Sequence, residues 1–210
     1  ITSSAASDVY KRQVYVCMRA AVYPAYITNL SQRLGRVLAI KKDQPIIWIH
    51  AVSLGESKVA VTLLERLQQQ CSGFQFLLTS MTETGYTYQK QQTSGLIHQY
   101  LPYDLWGWGS IRFIRHYQPK MAIFVESDWW PGYVFALQDS RVPMVVVNAR
   151  MSPRSYRSYM RIKPIFTGWL SSVAAFCTQD QLASQRLVDL GISPNSINTV
   201  SYTHLTLPTT

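Results

Sequence analysis

At 210 residues, 47% of them hydrophobic, the chain can bury a core of its own, and one domain is the first expectation. A formal charge of +9 and a pI near 9.6 point to an anionic partner: nucleic acid, a membrane surface or a phosphorylated substrate. Cys17, Cys71 and Cys177 lie far apart with no C-x-x-C, which argues against a disulfide framework or a zinc site and suits a reducing compartment; no stretch reaches the ~18 apolar residues of a spanning helix.

The two ends read alike at the level of DNA. Asp8-Val9-Tyr10-Lys11-Arg12-Gln13 can be encoded by GATGTGTATAAGAGACAG. The reverse complement, read in another frame, encodes Val200-Ser201-Tyr202-Thr203-His204 and begins Leu205. One short element in opposite orientations accounts for both, and it resembles a transposon-end sequencing adapter. Residues 1–13 and 200–210 are therefore expected to be adapter-derived tails, with the natural sequence at roughly 14–199. Leaving out Asp8, Lys11 and Arg12 lowers the excess positive charge by one, so the basic character stands.

Residues 14–45 read as a basic helical lead-in, closing on the turn Lys41-Lys42-Asp43-Gln44-Pro45. From residue 46 one unit recurs. Apolar, β-branched runs at 46–51, 74–79, 96–101, 121–125, 144–147 and 173–177 alternate with helical patterns at 57–70, 84–92, 108–117, 131–138, 153–170 and 179–190. The expected fold is α/β: a Rossmann-like parallel sheet with helices on both faces, spanning 46–199. The runs release into polar loops, which gather on the carboxyl edge of the sheet, where ligands of such folds bind.

Three of those loops carry chemistry. Ser53-Leu54-Gly55-Glu56 fits a capping box with Glu56 reaching back to the Ser53 N–H; it equally fits a general base on a rigid helix start, with Gly55 allowing close approach of a ligand. Glu126-Ser127-Asp128-Trp129-Trp130-Pro131 sets two acids between a buried run and a proline-started helix. One N-cap would need only one acid, and the indoles could serve as sugar platforms or as core. Asn148-Ala149-Arg150 leads into Arg154, Arg157 and Arg161, spaced to line one face if Arg150 joins the helix. Such a stripe is either a solvated face or a phosphate-binding one, and no acid lies between Asp139 and Asp180 to neutralise it.

Weaker signals fall away. Gly107-Trp108-Gly109 has Arg112 in place of a third glycine, His50-x-x-Ser53 lacks a nucleophile elbow, and His98 and His116 have no metal partners.

Five motifs, taken together, resemble the 3-deoxy-D-manno-octulosonic acid (Kdo) transferases. They are His50-Ala51-Val52-Ser53-Leu54-Gly55-Glu56, Leu78-Thr79-Ser80-Met81-Thr82-Glu83-Thr84-Gly85, Tyr100-Leu101-Pro102-Tyr103-Asp104, the Glu126–Pro131 stretch, and Val147-Asn148-Ala149-Arg150-Met151-Ser152. The resemblance runs from about Pro24 to Thr199. It implies the N-terminal, acceptor-binding half of a two-domain GT-B glycosyltransferase, with the donor-binding C-terminal domain missing. Such enzymes move Kdo from CMP-Kdo, a substrate rather than a cofactor, to the lipid A precursor (lipid IVA) in lipopolysaccharide biosynthesis. They work at the cytoplasmic face of the bacterial inner membrane.

By motif match, Glu56 is the proton acceptor and Glu126 the transition-state stabiliser. Asp128 stands where the family commonly has Glu followed by Leu-Trp-Pro. Ser53, Gly55, Thr82, Asp128, Asn148, Arg150, Arg154 and Arg157 are expected to bind acceptor or anion. The arginine stripe would suit acceptor phosphates or an anionic membrane surface. No metal and no cofactor are expected, and the fragment alone should be inactive. The rivals are a GT-B transferase with another donor and a basic nucleic-acid-binding module; acids on the binding rim speak against nucleic acid.

Overall fold

The computed structural model describes residues 29–40, 43–104, 107–126 and 129–199. The expected tails, the first half of the lead-in and Asp128 lie outside the described residues. The elements run in order α1 (Leu30–Arg33), β1 (Ile46–His50), α2 (Leu54–Gln70), β2 (Gln75–Ser80), α3 (Glu83–Gln92), β3 (Ile97–Tyr100), α4 (Trp108–Tyr117), β4 (Met121–Val125), α5 (Pro131–Asp139), β5 (Met144–Ala149), α6 (Pro153–Met160), α7 (Lys163–Leu170), β6 (Val173–Thr178), α8 (Gln181–Asp189) and β7 (Ile197–Thr199). All seven strands pair in parallel, in the order β3-β2-β1-β4-β5-β6-β7. The chain therefore has the expected α/β, Rossmann-like architecture.

Alternation along β1 divides the core. Ile47 and Ile49 join Phe76 and Leu78 beneath Ala60 and Leu64 of α2 on one face. Trp48, Leu77, Phe124 and Phe176 meet Phe113 of α4, Leu137 of α5, Phe166 of α7 and Leu187 of α8 on the other. With both faces covered, a strand must be apolar on both sides, which is why the runs are continuous rather than alternating. Trp48 lies at the centre, its ring 4.9–5.6 Å from those of Phe113, Phe124 and Tyr133. Its one polar atom is satisfied: Nε1–H donates to Thr79 Oγ1 at 2.8 Å.

Two expectations are corrected. The single helix at 153–170 is two, because Pro164 has no N–H to give and its ring opposes the carbonyl four residues earlier, so the chain breaks at Arg161–Ile162 and starts again. The seventh strand, Ile197–Thr199, follows a 3-10 turn at Pro194–Ser196 and has no apolar run to announce it.

The lead-in is more than a basic approach. Arg33 is 1% exposed. Its Nη1 donates to the Met81 carbonyl at 2.8 Å, and the guanidinium lies 4.3 Å from the centre of the Tyr100 ring. Flanking bonds tie the same turn down: Tyr103 N–H to the Arg33 carbonyl at 2.7 Å, and Tyr100 N–H to Gln32 Oε1 at 3.0 Å. A sequence reading takes such a cation for surface charge; here it bolts α1 to the ends of β2 and β3. Losing the charged hydrogen bond and the cation–π contact costs about 2–4 kcal/mol. Arg33→Met should accordingly lower the midpoint of thermal unfolding by roughly 5–10 °C, measured by circular dichroism.

Candidate functional site

The carboxyl ends of β1 and β4 lie side by side at the centre of the sheet. From β1 the chain moves outward to β2 and β3, and from β4 it moves the other way to β5 and β6. This is the switch point of the topology, where diverging connections open a crevice. One glutamate follows each of the two strands.

Glu56 is in the first turn of α2. Ser53, with extended backbone, is the N-cap, its Oγ accepting from the Glu56 N–H at 3.3 Å. The return contact differs from the expected one. Glu56 Oε1 accepts from the Ser53 hydroxyl at 2.9 Å, and Oε2 accepts from the Val52 N–H at 2.7 Å rather than from that of Ser53. Both oxygens are oriented while the side chain stays partly exposed. Gly55 beside it faces open space, its nearest foreign atom being Ser53 Oγ at 3.9 Å from where a Cβ would stand.

Glu126 sits in the left-handed region at φ 66°, and Asn148, ending β5 next door, does so at φ 54°. Left-handed backbone is tolerable for Asn and unusual for Glu, and holding it costs of order 1–3 kcal/mol. The two are bonded: Asn148 Nδ2 donates to Glu126 Oε1 at 3.2 Å, and Arg150 Nε lies 3.9 Å from the same oxygen. The arginine is 54% exposed and the glutamate 29%, so the pair meets solvent. Two bonds to the Glu126 backbone fix the turn, its N–H donating to the Val147 carbonyl at 2.8 Å and its carbonyl accepting from the Trp129 indole Nε1–H at 3.1 Å.

Other expected site residues fall elsewhere. Trp129 is 6% exposed and packs on Phe166 and Phe176, so it is core rather than a sugar platform. Arg150 does not join the helix. Ser152 caps α6 through its Oγ, leaving Arg154 and Arg157 exposed on that helix and Arg161 at its end, so the four do not form one stripe. Tyr156 turns inward to Asp189 of α8, its hydroxyl donating at 2.9 Å. The Thr82 hydroxyl is held within the scaffold, accepting from Gly85 N–H at 3.2 Å and donating to the Val52 carbonyl at 2.9 Å.

Asp104 is buried at the same rim, and burial pushes its carboxyl pKa up. Its oxygens accept from the Ser110 hydroxyl at 3.0 Å and the Gly132 N–H at 2.7 Å, serving the first turns of α4 and α5 together. A Cβ at residue 132 would stand 2.1 Å from the carboxylate, which is why glycine follows Pro131. Among the described residues no group of three His, Cys, Asp or Glu is placed to hold a metal ion. No helix among them is long and apolar enough to cross a membrane.

A family profile described as "3-Deoxy-D-manno-octulosonic-acid transferase (kdotransferase)" matches residues 28–206. The 3-deoxy-D-manno-octulosonic acid transferase of Haemophilus influenzae is 33% identical over 178 residues, 83% of this chain and 41% of that protein. Its counterpart in Rickettsia bellii is 30% identical over 93% of this chain and 47% of its own length. The chain thus spans less than half the length of either relative. Among solved structures, a putative UDP-N-acetylglucosamine 2-epimerase from Listeria monocytogenes superposes with a TM-score of 0.54 at 12% identity, covering 73% of this chain and 44% of that one. That likeness is one of fold.

His50, two residues before the loop that leads to Glu56, is no base for this rim. It is 1% exposed, with Nδ1 2.8 Å from Thr79 Oγ1, and burial drives its pKa down from 6.5 to about 3. The fold thus keeps the ring neutral. Its contribution to stability is fully present above pH 6.5; as pH falls below that, the unfolded chain gains a proton that the folded chain refuses until about pH 3. In urea melts across that window, stability should fall by about 1.4 kcal/mol per pH unit from this group. The stability advantage of wild type over His50→Gln should shrink in step as the pH is lowered.

Proposed function

This chain belongs to the 3-deoxy-D-manno-octulosonic acid (Kdo) transferase family, and from that we propose that it is the acceptor-binding half of a GT-B enzyme that transfers Kdo from CMP-Kdo to the lipid A precursor (lipid IVA). The reading is carried by one observation: two oriented, partly exposed carboxylates, Glu56 and Glu126, follow adjacent strands at the switch point of the sheet. A transfer to a sugar hydroxyl needs a base for the nucleophile and an anion for the charge that develops on the donor ring.

Glu56 takes the proton of the acceptor hydroxyl as its oxygen bonds to the anomeric carbon of Kdo. The bond from that carbon to the phosphate oxygen breaks, and CMP leaves with the electron pair. Glu126 stabilises the positive charge spread over the ring carbon and oxygen, and Asn148 and Arg150 hold it in place. Gly55 leaves room for the acceptor sugar, and the Ser53 hydroxyl fixes one oxygen of the base. Arg154 and Arg157, exposed on α6, suit the acceptor's phosphates and the anionic lipids around them. Peripheral attachment at the cytoplasmic face of the inner membrane would follow. CMP-Kdo acts as a substrate, and no further cofactor is called for.

In the full-length enzyme carrying this sequence, Glu56→Gln keeps shape and one acceptor oxygen but cannot take a proton. Turnover of CMP-Kdo with lipid IVA should drop by about 10²–10⁴-fold at an unchanged thermal midpoint. Turnover within tenfold of the parent would refute the base assignment.

A further inference from the structure

The proposed reaction leaves Ser80 without a part, although it is fully buried at the end of β2. Its hydroxyl donates to the Val52 carbonyl at 2.9 Å, and the Thr82 hydroxyl donates to the same oxygen at 2.9 Å. The Thr82 N–H reaches that oxygen at 3.1 Å and the Met81 N–H at 3.4 Å. Four donors thus converge on an atom with two lone pairs. Such crowding is more than backbone satisfaction requires.

Residue 52 is also the one that holds the carboxylate, its N–H donating to Glu56 Oε2 at 2.7 Å. On the other side, the Ala51 N–H donates to the Thr79 carbonyl at 3.0 Å. The two peptide planes that flank the one carrying the Val52 N–H are therefore each tied to β2 and its exit loop. Gly85 belongs to the same device. A Cβ there would stand 2.5 Å from Ser80 Oγ and 2.9 Å from Thr82 Oγ1, so a side chain at this position would push the hydroxyls from the carbonyl.

We propose that Ser80 and Thr82 are positioning residues for Glu56, acting through Val52: their hydroxyls hold the Val52 carbonyl, which restrains the adjoining peptide plane, and the N–H of that plane sets the direction of the carboxylate. This rests on Glu56 being the base. A base must meet the acceptor hydroxyl within hydrogen-bond reach, and small misplacements are expensive in rate. An N–H donated to a carboxylate also favours its ionised form. Loosening Val52 should therefore slow the proton transfer and leave Glu56 easier to protonate, without weakening substrate binding.

The test uses the full-length enzyme with Ser80→Ala, Thr82→Ala and Gly85→Ala, and with Glu56→Gln beside them. The first two remove a hydroxyl; the third keeps both and displaces them, while alanine favours the helix it enters. For each, kcat should fall about tenfold, KM for donor and acceptor should stay within about twofold, and the acid limb of the kcat–pH profile should move to higher pH. Three substitutions strike one contact from three positions, so a variant that fails to fold leaves two that report. A lowered thermal midpoint with kcat and the acid limb unchanged would mean a purely structural role and would overturn the proposal while leaving the base in place. Turnover retained by Glu56→Gln would remove the base assignment, and this inference with it.

Discussion

Helix N-termini leave backbone N–H groups that something must satisfy, and in this fold they crowd the same rim as the crevice. That obligation decides which polar side chains are available for chemistry. Ser53, Thr82, Ser152 and Asp180 each accept from the first turn of the helix that follows them. The helix after β4 is treated differently. Its first turn begins with Pro131, which has no N–H to satisfy, and its Gly132 N–H is met by Asp104, arriving from the β3 loop. The acid serving this helix start is thus Asp104, while Glu126, four residues before the N-cap Trp130, accepts from Asn148 instead.

The acid at the switch point is held in its own way. Glu126 and Asn148 both adopt left-handed backbone at the ends of neighbouring strands and are bonded to one another. Such conformations persist only where the surroundings over-determine them, and here the Val147 carbonyl and the Trp129 indole do so. Glu56 is fixed by contrast through the capping geometry itself. Whether it is a cap or a working residue is therefore a false choice, because the contacts that make the cap also aim the carboxylate. The two acids reach one crevice by different routes, one through a regular helix start and the other through strain.

Much of this was legible in the residues. The six apolar runs placed six of the seven strands, and the stretches Ser53–Glu56 and Glu126–Pro131 named the two acids before any geometry was known. Illegible features share a cause: their contacts are distant in sequence. Nothing local in Arg33 marks it as buried against Met81 and Tyr100. Trp129 looks like an exposed indole until Phe166 and Phe176 close over it. The arginine spacing implies one stripe only if the helix begins before Arg150, and the Ser152 cap starts it three residues later. Thr82 carried a motif position, and nothing local foretold that its hydroxyl would bond the Val52 carbonyl, 30 residues away.

The carboxylate shared by α4 and α5 ties together two positions that are 28 residues apart. Only a residue without a side chain admits the acid, whose three carboxylate atoms are the nearest neighbours of a Cβ placed there. Lineages that drift at Asp104 lose that obstacle at 132, whereas any side chain appearing first at 132 evicts the acid. The allowed order of change is one-way: loss of the acid must precede growth at the glycine. In related sequences the two positions should therefore vary as a pair, leaving a mark of tertiary contact on an alignment where neither residue performs chemistry.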